Sequence, residues 1–136
     1  MMEDKRITYA AVCGRTFPLC MTVAVHQKII EKFGGLAEMA EQLDGEASTA
    51  QCAWLTHTLI EGGIAREKAM AWMMDTTVSH EDVAPPMEVL MDAMDLADVT
   101  ALWPVLFKAI RRSRGMTVET DPAEETEEKN GETTQG

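Results

Sequence analysis

Three histidines, three cysteines and three serines are the side chains whose types could do chemistry, and their spacing restricts what that chemistry could be. His26, His57 and His80 form no i, i+4 pair and no HExxH pattern, which zinc sites require. His26 falls on the same helical face as Ile29, Ile30 and Phe33, the place of a core-edge histidine. His57 lies in an apolar stretch and is expected to have no carboxylate partner, whereas His80 sits in a turn beside Glu81 and Asp82. Ser48, Ser79 and Ser113 have no nucleophile-elbow context. Cys13, Cys20 and Cys52 form no CxxC pair. Cys13 and Cys20 could face each other across a hairpin, but the plainer reading is two small apolar fillers, and an odd count suggests reduced thiols. The glycine pairs 34–35 and 62–63 lack the lysine and spacing of a phosphate cradle. The residues thus point to no catalytic, cofactor-binding or metal site, and the expectation is a protein that is not an enzyme.

Methionine offers a different use. Of the 11 methionines, Met70, Met73 and Met74 share one helical face, and Met87, Met91 and Met94 share another. Core filling is the commoner role, because Met packs irregular gaps well. The functional alternative is an adaptable apolar groove that receives partner helices, with Trp72 as an exposed anchor. These seven residues are the candidate partner-binding set.

The elements that must position them read as follows. Ile7, Tyr9 and Ala11 alternate with Thr8, Ala10 and Val12, Phe17, Leu19 and Met21 alternate on a return strand, and Cys13-Gly14 marks the reversal. Thr22 caps a first helix that Gly34-Gly35 ends, with Val23, His26, Ile29, Ile30 and Phe33 on one face. Leu36, Met39, Ala40 and Leu43 mark a second, short helix. A third, more uniformly apolar helix runs from Ala47 to Glu61 and is expected at the centre of the core. Gly62-Gly63 is expected to stop it, and Ile64 to Asp75 to form a fourth. Ser79 and Asp82 form a capping box, and Pro86 starts a helix to about Asp95 with Met87, Leu90, Met91 and Met94 on one side. Asp98 or Thr100 caps a final helix carrying Leu102, Val105, Leu106, Ala109 and Ile110. Pro104 should lie in its first turn or kink it.

The fold class is therefore mainly α (α+β): an N-terminal β-hairpin and a compact bundle of about five to six short helices, residues 1–115, then a disordered acidic tail, 116–136. A hydrophobic share of 46% excludes wholesale disorder of the 136 residues, and no apolar run is long enough to span a membrane. The first residues lack the apolar core of a secretory signal. Net charge is −11, of which the tail carries −6: Glu119, Asp121, Glu124, Glu125, Glu127, Glu128 and Glu132 against Lys129. Such an acidic chain repels phosphate backbones, so nucleic acid is not an expected partner. One basic cluster, Lys108, Arg111, Arg112 and Arg114, falls in the last turns of the final helix, where cations complement the helix dipole; a small anion-binding patch is the alternative.

Phe17-Pro18-Leu19, Thr22 and Glu31-Lys32-Phe33-Gly34, then Ala53-Trp54-Leu55 through Leu59-Ile60-Glu61-Gly62-Gly63, then Val78-Ser79-His80-Glu81-Asp82-Val83 carry a resemblance. In that order and spacing they resemble the tail assembly chaperones of long-tailed bacteriophages and prophages, over most of residues 6–114. The resemblance implies a cytoplasmic protein of the infected host that binds the tape measure protein. It would keep that protein soluble and help recruit tail tube subunits, and it would be absent from the mature virion. The implied partners are the tape measure protein and the tail tube protein, with room for self-association, and neither nucleic acid nor membrane. It also implies that a longer product could arise by a −1 ribosomal frameshift: Glu128-Lys129-Asn130 can be encoded as GAA-AAA-AAC, which contains a slippery run. The rival readings are a structural tail or connector subunit retained in the virion, and a small helical protein-binding adaptor.

Overall fold

A computed structural model describes residues 4–43, 48–76 and 83–116. Two antiparallel strands, β1 (Thr8–Val12) and β2 (Arg15–Leu19), lead into α1 (Val23–Phe33) and α2 (Leu36–Gln42). The long helix α3 (Ser48–Met73) follows, then α4 (Met87–Ala93) and α5 (Leu96–Ser113). The expected architecture of a hairpin followed by helices is observed, with five helices among the described residues. The Ser79/Asp82 capping box and residues 117–136 lie outside the described residues.

Val12 pairs with Arg15, leaving a two-residue loop in which both Cys13 (φ 52°) and Gly14 (φ 86°) have positive φ. That is a type I′ turn, the one whose twist matches the flanking strands. With 12/15 as the closing hydrogen-bonded pair, 10/17 and 8/19 are hydrogen-bonded too, and Tyr9 faces Pro18 at a position that needs no cross-strand N–H. Pro18 is tolerated there because its missing donor would point away from β1. Thr8 and Val12 are buried while Tyr9 and Ala11 face outward. Cys13 is exposed at the turn and Cys20 is buried beyond the end of β2, so the two thiols do not face each other, and Cys13 is no apolar filler. A cysteine is held at positive φ where asparagine is favoured. Cys13→Asn should therefore raise stability by about 0.5–1 kcal/mol, read as a higher urea midpoint at unchanged slope.

Thr22 Oγ1 accepts from the Val25 N–H at 3.2 Å, and Gly34 (φ 102°) ends α1 with its N–H on the Ile30 carbonyl, both at the expected places. The buried face is Val25, Ile29 and Phe33, however, rotated from the expected one, with Val23 and Ile30 exposed. Phe33 meets Trp54 edge-on at 5.6 Å, with the Lys32 ammonium 5.2 Å from the Trp54 ring.

The largest departure from expectation is at Gly62-Gly63, which stop nothing: α3 runs straight through them. Both glycines are buried. A β-carbon on Gly62 would overlap the Cys20 carbonyl oxygen and lie 2.7 Å from Val25 Cγ2, and one on Gly63 would overlap the Pro18 carbonyl. The missing side chains let α3 settle directly onto the backbone that leaves β2. There the Cys20 N–H donates to the Leu59 carbonyl at 3.0 Å. The first two-thirds of α3 is central to the core, with Cys52, Leu55, Leu59, Ile60 and Ile64 buried in one cluster with Leu19, Ile29, Met39, Leu90, Leu102 and Leu106.

Asp95, not Asp98 or Thr100, caps α5. The Asp98 N–H donates to Asp95 Oδ1 at 2.9 Å and the Asp95 N–H to Asp98 Oδ2 at 3.0 Å, a reciprocal capping box. Pro104 lies well past the first turn, on the exposed side. At the far end Gly115 (φ 81°) closes the helix, with Gly115 N–H on the Arg112 carbonyl and Met116 N–H on the Arg111 carbonyl. This is a Schellman arrangement.

The N-terminal segment is clamped to α3 by Arg66, whose Nε and one terminal nitrogen donate to the two Asp4 oxygens at 2.7 and 3.3 Å. Burial alone would raise the Asp4 pKa, but hydrogen bonds from Arg66 and the Arg6 backbone, with their charges, bring it below the usual value. A carboxyl depressed in the folded state contributes stability above its unfolded pKa of about 4 and loses it as pH falls through the folded value. Urea midpoints for the parent chain should drop below pH ~4 more steeply than those of Asp4→Asn, by about 1 kcal/mol for this partly solvated pair.

Candidate functional site

The last turns of α3 project from the packed body. From Lys68 to Thr76 every described residue except Ala71 is exposed, whereas Leu55 to Ile60 is almost wholly buried. At this projecting end Met70 is 36% exposed, Trp72 79%, Met73 70% and Met74 58%. Helical spacing puts Met70 and Met74 on one side and Trp72 on the other, so apolar residues ring the helix end. A helix that is apolar all round is normally buried, and among the described residues nothing covers this one.

Core filling is thus excluded for Met70, Met73 and Met74, and Trp72 is exposed as an anchor would be. The second methionine group behaves differently. Met94 is partly buried against the core, Met87 is partly buried, and only Met91 is exposed. Met91 and Met94 line a groove of about 330 Å³ with Ala53 near the start of α3 and Leu96 and Val99 of α5. The two groups therefore do not form one groove. They sit toward opposite ends of a helix about 39 Å long.

Two contributors escaped the sequence reading. Tyr9 donates its hydroxyl to Glu67 Oε2 at 2.6 Å, and Glu67 precedes Met70 by one turn, so the outward face of the hairpin extends the Met70/Met74 side. Strand alternation placed Tyr9 opposite Val12 and was the signal available. Leu96, 72% exposed, extends the groove by Met91; it falls within the first turn of α5, before the buried face begins at Leu102, and nothing in the local pattern marks it.

The polar groups around His57 are engaged structurally. His57, expected to lack a carboxylate, has Glu61 one turn on: Nε2 lies 3.3 Å from Glu61 Oε2, and Lys28 Nζ lies 3.2 Å from Glu61 Oε1. His57 Nδ1 is 2.8 Å from the Pro85 carbonyl, which ties the approach to α4 onto α3. Burial pushes the Cys52 thiol up to about 11, with the nearby Thr56 hydroxyl opposing the shift. Burial also raises Cys20, and burial with the Asp98 and Asp95 charges raises Cys13. All three shifts disfavour the thiolate that nucleophilic or metal chemistry needs. Among the described residues no cluster of three or more His, Cys, Asp or Glu could hold a metal ion, and no helix is long and apolar enough to cross a membrane.

What the arrangement offers chemically is contact area: a projecting Trp/Met helix end and a smaller methionine-lined groove. Comparisons with protein-family models, with curated proteins and with solved structures find no match for this chain.

Proposed function

We propose that this protein is a tail assembly chaperone of a long-tailed phage or prophage, which binds the tape measure protein and lends it apolar cover during assembly. The observation that carries the reading is the exposed ring of Met70, Trp72, Met73 and Met74 at the end of α3. Methionine is unbranched and polarisable, so it adapts to partner helices of varied sequence, and an exposed indole supplies the fixed anchor. A tape measure protein is a long helical polypeptide, and coating it requires many copies, each of modest affinity, so that tube subunits can displace them. The net charge of −11 would keep such a coated assembly dispersed. The same displacement would hand the tape measure protein to the tail tube protein and leave the chaperone behind in the host cytoplasm.

Co-expression with the long helical product of the adjacent gene tests this. The expected result is a soluble complex recovered through this chain, and no trace of this chain in purified virions by mass spectrometry. A tape protein that stays equally insoluble, with no complex, overturns the reading. Fixed stoichiometry in mature particles would instead establish a structural tail subunit.

A further inference from the structure

The fold gathers cations that the sequence keeps a hundred residues apart. Ser113 Oγ lies 3.5 Å from the Arg6 carbonyl and accepts from the Met21 N–H at 2.8 Å, pinning the end of α5 against the start of the hairpin. A side chain built on Gly115 would lie 3.6 Å from the Arg6 guanidinium carbon. Lys5 and Arg6 thereby join Arg111, Arg112 and Arg114 in one basic pole, all but the half-buried Arg112 exposed.

Several other cations have partners: Lys28 has Glu61, Arg66 has Asp4, and Lys32 lies over Trp54. Lys5, Arg6, Arg111, Arg112 and Arg114 have no carboxylate side chain in ion-pair contact among the described residues. Asp4, the acid beside them in sequence, is ion-paired to Arg66 and accepts from the Arg6 backbone N–H, so among the described residues a single carboxylate borders the five cations there. Nor are the arginine side chains needed as caps, because backbone N–H groups already satisfy the carbonyls of Ile110, Arg111 and Arg112. Cations gathered at one end of the molecule without an ion-pair partner favour an anionic occupant.

We propose that this pole is an electrostatic docking surface for the chain's own acidic segment, residues 119–132. Two arguments select that occupant. The segment carries seven carboxylates against one lysine, close to matching the pole in magnitude and opposite in sign. It is also tethered at the pole itself: Glu119 follows Arg114 by five residues, a reach of about 17 Å even when extended. Tethering over so short a distance holds the carboxylates near the pole at a millimolar effective concentration, and several of them can engage it at once. The segment is therefore the occupant that the pole meets first. This inference does not depend on the chaperone reading.

The test uses the full chain and a full-length variant carrying Glu119→Gln, Asp121→Asn, Glu124→Gln, Glu125→Gln, Glu127→Gln and Glu128→Gln. Amide resonances of Lys5 and Arg6, remote in sequence from the substitutions, are compared in about 20 mM salt, where screening is weak. The expected result is a clear difference between the two chains that is unchanged on dilution and disappears in about 0.5 M salt. Hexaglutamate should bind the neutralised chain about tenfold more tightly than the parent. The full-length variant Arg111→Gln, Arg112→Gln, Arg114→Gln should largely lose the salt response at Arg6. Identical resonances and equal hexaglutamate affinity in the two chains overturn the proposal. So does a difference that vanishes on dilution, which would assign the occupant to a second copy.

Discussion

Gly62→Ala and Gly63→Ala should each destabilise the protein by about 2–3 kcal/mol, although both replace glycine by the best helix former inside an α-helix. Helix propensity alone predicts a gain of about 1 kcal/mol for this change. Opposing it is a methyl group thrust into backbone: the Cys20 carbonyl at Gly62, and the Pro18 carbonyl with the Leu19 nitrogen 2.8 Å away at Gly63. Backbone cannot swing aside as the end of a flexible side chain can, so α3 must lift off β2 and loosen the Cys20-to-Leu59 hydrogen bond with it. Urea or thermal unfolding of the two variants reads the sign directly. A gain in stability at either position would mean that α3 and the hairpin do not approach as described.

Trp72→Ala should have the opposite profile, with unfolding stability within about 0.5 kcal/mol of the parent and partner binding weakened about 30-fold, or roughly 2 kcal/mol. The side chain is 79% exposed, so truncation removes little packing in the free protein. If the ring is the anchor at a partner interface, its full burial is lost on truncation. Met73→Ala should act in the same direction with a smaller effect, because a flexible thioether gives up more freedom on binding. Titration calorimetry with the proposed partner, the tape measure protein, or pull-down from co-expressing cells, measures both. Unchanged binding in Trp72→Ala would remove the α3 end from the interface, and the Met91/Leu96 groove would be tested next by Met91→Ala.

Local signals were legible wherever the cause lay within a few residues. The I′ turn at Cys13-Gly14, the Thr22 and Gly34 caps and the buried face of α5 follow from short-range sterics, capping chemistry and 3.6-residue periodicity. Asp95 was missed in favour of Asp98 because a reciprocal box has an acidic residue at both positions, and either one satisfies the local pattern. The face of α1 was read a notch out of register because Val23 and Ile30 are apolar but face solvent. Val25 is the side chain drawn toward the gap beside Gly62.

For the candidate site, residue types named the chemistry: abundant methionine and exposed tryptophan, with no nucleophile, base or metal set at working spacing. Which methionines face solvent depended on where α3 outruns its neighbours, a matter of relative element lengths. Glycines 62 and 63 could mean a stop or a close approach, because their one-dimensional pattern is the same in both cases. What separates the two is the backbone of Pro18 to Cys20, about forty residues earlier in the chain and in contact only once the fold has formed. The basic pole has the same origin, since Arg6 and Arg114 become neighbours through the docking of α5 on the hairpin. Short-range preference wrote the elements into the chain, and long-range packing chose which of their faces remained open.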